Sequence, residues 1–170
     1  NKVEVIPHGL LKFPSTTKKK IIEHDFSGSN VLLFFGNINK YKGLDLLIEA
    51  IKYLREEDLT LLIVGRPQIS LGPLKDLSEE LKVSDKIVWY PHFVKEENVS
   101  EIFHHAHVVV LPHRNIDQSG VLATAVFYEK PIIASNIGGF REVIENNKHG
   151  YLFENGNPKD LSKKISSFIR

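Results

Sequence analysis

Four stretches of the chain combine residue types suited to holding an anion or a hydroxylated ligand. The first is Gly36-Asn37-Ile38-Asn39-Lys40-Tyr41-Lys42-Gly43. Gly36 lets backbone approach a ligand, and Lys42-Gly43 opens a helical segment whose free N–H groups and dipole favour an anion. A lysine there suits a phosphate. The spacing is neither a P-loop nor a GxGxxG fingerprint, and a surface lysine at a helix start has the same signature. The second stretch, Gly65-Arg66-Pro67-Gln68, repeats this logic. The third is Pro91-His92-Phe93-Val94, where an aromatic ring and free backbone groups can hold a flat base; a buried Phe93 plugging the sheet edge is the other reading. The fourth runs from Leu111-Pro112-His113-Arg114-Asn115 through Ile116-Asp117-Gln118-Ser119-Gly120-Val121. Asp117 can accept two sugar hydroxyls, and Ser119-Gly120 would stand at an anion-friendly helix N-terminus. Arg114 is either a cation for a leaving phosphate or an exposed arginine.

Two other patterns carry less. His104, His105, His107 and His113 crowd together, but residues 104 to 107 straddle a helix end and a strand start, so their side chains diverge and no nearby carboxylate completes a metal site. Ser119 lacks the GxSxG elbow of a hydrolase nucleophile.

These stretches are positioned by an alternation of strand-like and helix-like segments. Apolar, β-branched runs occupy 3–6, 31–35, 59–64, 86–90, 107–111 and 131–135, with a weaker run at 151–153. Several are apolar at consecutive positions, which strands buried on both faces require. Between them the period becomes helical: Leu44, Leu47, Ile48, Ile51 and Leu54 share a face, as do Leu74, Leu77 and Leu81; Val99, Ile102 and Phe103; Val121, Leu122, Ala125 and Val126; and Leu161, Ile165, Phe168 and Ile169. This predicts an α/β fold, an open doubly wound parallel sheet in one domain. Ligands of such sheets bind beyond the carboxyl ends of the strands, where all four stretches lie. The segment 10–29, with Lys18-Lys19-Lys20, is irregular, and its lysines read as a solvated face.

Composition narrows the classes. With 170 residues, 42% hydrophobic and 25% charged, the chain can bury a full core. Twenty-two Lys and Arg against 21 Asp and Glu leave a net charge of +1, which gives no long-range field for nucleic acid or anionic lipid. No apolar run approaches the roughly 18 residues of a membrane span. Zero Cys removes disulfides, thiolate metal sites and Cys nucleophiles. Zero Met leads us to expect a piece of a longer protein.

Taken in order, the stretches resemble the donor domain of glycosyltransferase family 4, the group 1 glycosyltransferases. Ile6-Pro7-His8-Gly9 resembles that domain's opening, and Gly36 through Lys42-Gly43-Leu44 to Ala50 resembles its Gly-Arg-x4-Lys-Gly segment. Leu62-Ile63-Val64-Gly65 and Val109-Val110-Leu111-Pro112 are similar to its next strands. Most specific is the ordered set Gly120 to Ala125, Lys130 to Ser135, Gly138-Gly139, Glu142-Val143-Ile144 and Gly150 to Phe153. The resemblance covers essentially the whole chain. It implies the two-domain GT-B architecture, with residues 1–170 as the Rossmann-like C-terminal, nucleotide-sugar-binding domain and the N-terminal acceptor domain outside this sequence. It implies transfer with retention from a nucleotide-diphosphate sugar to a glycan or lipid-linked acceptor, without metal or other cofactor. It also implies a cytoplasmic protein of polysaccharide biosynthesis, touching the inner face of the membrane through its other domain. Lys42 and Asn37 would meet the diphosphate, with Gly36 and Arg66 lining the same end. Phe93 and Val94 would hold the base. Asp117, Gln118, Ser119, Gly120, Val121 and Thr124 would surround the sugar, distal phosphate and ribose. Catalytic residues are expected in part from the other domain.

The chain departs from the family pattern. Asn37 stands where an Arg is usual, Thr124 replaces the second Glu of Glu-x7-Glu, Ile116 aligns with the first, and Glu129 replaces the Gly expected to end a helix in left-handed geometry. A degenerate domain that only binds a partner is therefore the second reading. A nicotinamide-dependent oxidoreductase is a third, which the absence of GxGxxG after any predicted strand counts against.

Overall fold

The computed structural model describes residues 20–115, 119–144 and 150–170. Six parallel strands form one sheet: β1 (Asn30–Phe35), β2 (Leu59–Val64), β3 (Ile87–Tyr90), β4 (Val108–Leu111), β5 (Ile132–Ser135) and β6 (Gly150–Phe153). Their order is β3-β2-β1-β4-β5-β6. The chain therefore winds outward from β1 in one direction and from β4 in the other, which makes the β1/β4 boundary the topological switch point. The expected fold is the observed one. The run at 3–6 lies outside the described residues.

Consecutive apolar positions are explained by two cores that share the sheet. Side chains alternate across a strand. Leu32, Phe34, Leu61, Ile63, Val108 and Val110 enter one core, while Val31, Leu33, Leu62, Val64, Val109 and Leu111 enter the other. Helices α1 (Leu44–Ile51), α2 (Gly72–Glu80) and α6 (Pro158–Ile169) cover the first face through residues such as Leu47, Leu74 and Leu161. Helices α3 (Glu96–His105), α4 (Gly120–Phe127) and α5 (Gly138–Val143) cover the second through Phe103, Leu122 and Phe140.

Helix α5 has no counterpart in the periodicity: six residues beginning Gly-Gly carry too little pattern and too little propensity to announce a helix. Residues 20–29 contain no helix or strand, as expected, but are tied down, because both carboxylate oxygens of Glu101 accept from Ile21 N–H at 2.8 and 3.0 Å. Helix α4 ends with Glu129 at φ 53°, the left-handed geometry expected at that position. Lys130 N–H donates to Ala125 O and Glu129 N–H to Val126 O, a Schellman closure built without glycine.

Candidate functional site

The site is assembled from the exits of β1 and β4. Beyond β1, Gly36 N–H donates to Val64 O and the chain turns at φ 96°. A 3-10 turn, Lys40–Lys42, then folds back before α1, with Gly43 in left-handed geometry between them. This return carries Lys42 Nζ to 3.5 Å from Phe35 O and to 2.7 Å from the place a Cβ on Gly36 would occupy. The glycine makes room for the ammonium.

Lys42 is only 7% exposed and forms no ion pair among the described residues. Burial lowers its pKa from 10.5 to about 8. An ammonium desolvated without a counter-ion is costly to the fold, and an incoming anion would offset that cost.

The exit of β4 is fastened to the same loop. A Cβ on Gly43 would stand 2.0 Å from Pro112 O, so the two backbones touch where only hydrogen fits. Arg114 N–H donates to Tyr41 O at 2.7 Å. Its guanidinium holds both Asp45 oxygens, at 2.6 and 2.9 Å, and donates to Lys40 O. Burial pushes the Asp45 carboxyl up, but the Arg114 hydrogen bonds and charge outweigh it and hold the carboxyl below its ordinary value. Asn155 Nδ2–H donates to Arg114 O, which adds the segment after β6 to the clamp. Arg114 is thus the exposed arginine of the second reading, with its charge engaged by Asp45.

Between these clamped residues sits His113, 2% exposed, with its ring 5.9 Å from Tyr41 and 5.3 Å from Phe140. Its Nδ1 has no hydrogen-bond partner among the described residues. Burial first, and the Lys42 charge second, lower its pKa to about 3, so the imidazole is neutral. Two further buried atoms at this end of the sheet lack partners among the described residues, Asn39 Oδ1 and Ser135 Oγ.

Helix α4 completes the arrangement. Ser119 caps it, its Oγ accepting from Leu122 N–H at 3.2 Å, and Gly120 is exposed at its start. Val121 Cγ2 lies 3.2 Å from the Gly36 Cβ position, so the first turn of α4 stands beside Gly36 and Lys42. Thr124 is buried and donates its hydroxyl to Gly120 O at 2.8 Å, inside the helix.

Of the residues singled out from sequence, Gly36, Lys42, Ser119, Gly120 and Val121 form the centre at the switch point, with Thr124 one turn along α4. Asn37 and Arg66 are exposed at the exits of β1 and β2. Phe93 is 73% exposed beyond β3, which overturns the reading of a buried plug; Val94 is the residue there that packs into the second core. Asp117 and Gln118 lie outside the described residues. A cleft of about 710 Å³ opens on the α1–α2 side of the clamp, lined by Tyr41, Leu44, Ile69, Leu74 and Arg114, and Lys42 is not among its walls.

The histidines separate as expected: His107 accepts from Val31 N–H, and His113 goes to the switch point. A carboxylate does stand near the group, without completing a metal site. Glu101 Oε1 lies 3.9 Å from His105 Nε2, the i, i+4 spacing on α3. No group of three or more His, Cys, Asp or Glu among the described residues is placed to hold a metal. The buried environment of His113 was not readable from its neighbours in sequence.

The family of glycosyl transferases group 1 matches residues 16–170. The chain belongs to that family. D-inositol 3-phosphate glycosyltransferase of Xylanimonas cellulosilytica is 29% identical over 134 residues, 76% of this chain and 31% of that protein. Among solved structures, Anabaena HepE in complex with UDP-glucose superposes with a TM-score of 0.75 at 19% identity, covering 85% of this chain and 40% of that one. The C-terminal domain of the group 1 protein LpcC from Francisella tularensis gives 0.72 at 20% identity, covering 82% of this chain and 75% of that domain. The chain spans less than half the length of the curated relatives it matches. Among the described residues no helix is long and apolar enough to cross a membrane.

Proposed function

We propose that this chain is the donor-binding C-terminal domain of a retaining GT-B glycosyltransferase that uses a nucleotide-diphosphate sugar. One observation carries the reading: Lys42 is a buried, uncompensated cation at the switch point, beside the first turn of α4. The diphosphate lies against Lys42 and the α4 N–H groups, which meet the charge that grows on the leaving nucleoside diphosphate. Phe93 and Val94 take the base. β3 is two strands from β1, about 10 Å at the usual spacing of ~4.8 Å, which fits a nucleotide laid across the strand ends. The exposed Phe93 ring supports this orientation, and the likeness to a UDP-glucose complex supports the class of ligand. The transferred sugar, a hexose, lies at the start of α4, toward an N-terminal domain that brings a glycan or lipid-linked acceptor and closes over the site to exclude water. No metal enters the scheme, since Lys42 and the helix terminus supply the positive field. The protein works in the cytoplasm, at the inner face of the membrane, in polysaccharide assembly.

Titration calorimetry of the intact protein with UDP, GDP and their sugars tests this. Binding of one nucleotide sugar, lost in Lys42→Ala, is the expected result. Absence of binding to all of them overturns it. A second reading, a GT-B domain that has lost transfer and binds a partner, draws on Thr124, whose hydroxyl is directed to Gly120 O within α4. Donor turnover by the intact protein removes that reading.

A further inference from the structure

Lys42 is placed by a turn that is weakly held by its own bonds. The Lys40–Lys42 turn closes through Lys42 N–H to Asn39 O at 3.2 Å and Gly43 N–H to Lys40 O at 3.3 Å, and the Asn39 side chain makes no capping bond at its start. So short a 3-10 segment has poor hydrogen-bond geometry. The lysine side chain gives little anchorage either, since Nζ reaches Phe35 O only at 3.5 Å. Desolvation drives the ammonium toward water, and the flexible lysine stem allows it to go there.

What resists this comes from the exit of β4. Arg114 donates to two carbonyls of the turn, its backbone N–H to Tyr41 O at 2.7 Å and its guanidinium to Lys40 O at 2.9 Å, both shorter than the turn's own bonds. The same guanidinium holds both oxygens of Asp45, in the first turn of α1. Arg114 therefore grips the chain before Lys42 and after it. The two side chains are 42% and 40% exposed, so the ion pair adds little to stability. A two-pronged guanidinium–carboxylate contact adds geometric definition instead. Both residues line the cleft on the α1–α2 side, and Lys42 is not among its walls, so the pair and the ammonium face different spaces.

We propose that Asp45 and Arg114 are positioning residues for donor binding: they brace the Lys40–Lys42 turn so that the ammonium stays beside Gly36 and the first turn of α4, and they do not touch the donor. The inference rests on the donor-binding reading and adds to it the pair on which the placement of Lys42 depends.

The test uses Asp45→Asn, Arg114→Lys and Arg114→Ala in the intact protein, titrated with UDP, UDP-glucose, GDP and GDP-mannose across the alkaline range, with thermal melts alongside. At pH 7, Arg114→Ala is expected to weaken the recognised nucleotide and its sugar alike by about tenfold. Asp45→Asn weakens them in the same direction, and Arg114→Lys, which keeps a donor for Lys40 O, recovers part of the loss. The pH profile carries the distinction from a merely structural role. In the unsubstituted protein affinity falls above about pH 8, where the buried ammonium loses its proton. A lysine released to water returns toward its ordinary pKa of 10.5, so in Arg114→Ala and Asp45→Asn the fall moves to higher pH. His113, its pKa lowered to about 3, is neutral throughout and does not enter the profile. If Arg114 touched the phosphate itself, Asp45→Asn would free the guanidinium and raise affinity, and that result would overturn the proposal. Weakened binding with an unmoved pH profile would overturn it too, leaving a pair that serves the fold alone. Binding by the unsubstituted protein with no effect in any variant overturns the role of the pair and leaves the donor-binding reading standing. If the unsubstituted protein binds none of the four ligands, that reading falls and this inference with it.

Discussion

The two ends of the sheet treat their polar groups differently. At the amino end several polar groups find their partners within the chain. His107 Nδ1 accepts from Val31 N–H at 3.0 Å, Lys86 Nζ donates to Glu57 O at 2.8 Å, and the Ser29 and Thr60 hydroxyls meet at 2.7 Å. Among the described residues at the carboxyl end, a buried ammonium has only a long bond to Phe35 O, and His113 Nδ1, Asn39 Oδ1 and Ser135 Oγ have no partner. Two histidines six positions apart show the contrast most directly, since one closes the sheet and the other is left open. Because buried polar groups are ordinarily paired, the three open ones at the exits of β1, β4 and β5 stand out against the paired groups named at the amino end. The end is not loosely built: the Arg114 clamp fixes the loops that carry the open groups.

The sharpest way to break this comparison is Lys42→Met. Lowering the Lys42 pKa from 10.5 to about 8 corresponds to roughly 3 kcal/mol of opposition to the charged form. The variant should therefore gain up to about 3 kcal/mol of stability at pH 7 in denaturant titrations while losing donor binding. The sign can be followed with pH. Between pH 8 and 10.5 the unfolded chain binds the Lys42 proton and the folded chain does not, so the unsubstituted protein gains stability as pH rises through that window. The advantage of the variant shrinks over the same window, and a pH-independent difference would show that Lys42 is not desolvated.

Next in size is donor affinity itself. The free protein loses the Lys42 charge above about pH 8, so affinity for a nucleotide sugar should fall about tenfold from pH 7 to 9 in calorimetry. A flat profile would place the diphosphate elsewhere. At the opposite end, His107→Leu should lower stability by about 1–2 kcal/mol, because Val31 N–H loses its acceptor, and should leave donor affinity unchanged. Smallest is Glu129→Gly. Relief of the left-handed φ of 53° should outweigh the added freedom of the unfolded chain, raising stability by about 0.5 kcal/mol in a thermal melt, again without change in binding.

The strands were legible because each feeds two cores, and a residue such as Leu33 between Leu32 and Phe34 has no polar face to show. Lys42 and Gly36 were legible as a pair, since a glycine exit and a lysine before a helix start are chemical types at a fixed spacing. The reason Lys42 is unusual was not, because its burial comes from the return of the 3-10 turn against Phe35 and Val121. Arg114 and Asp45 are 69 positions apart, and pairing at that separation leaves no mark on either local pattern. His113 was masked by its neighbours: in sequence it belongs to a run of histidines, and only the fold separates it from them.

The sheet order has a consequence for how firmly a ligand would be gripped along its length. β1 and β4 are interior strands, hydrogen-bonded on both sides and enclosed by both cores, whereas β3 is, among the described residues, an edge strand paired only with β2. Local opening begins at edges and reaches interior strands last, so amide exchange should be slowest in 31–34 and 108–111 and faster in 87–90. Lys42 and His113 hang from the slow strands and Phe93 from the fast one. A molecule laid across these exits would be held stiffly at its phosphate end and compliantly at the far end.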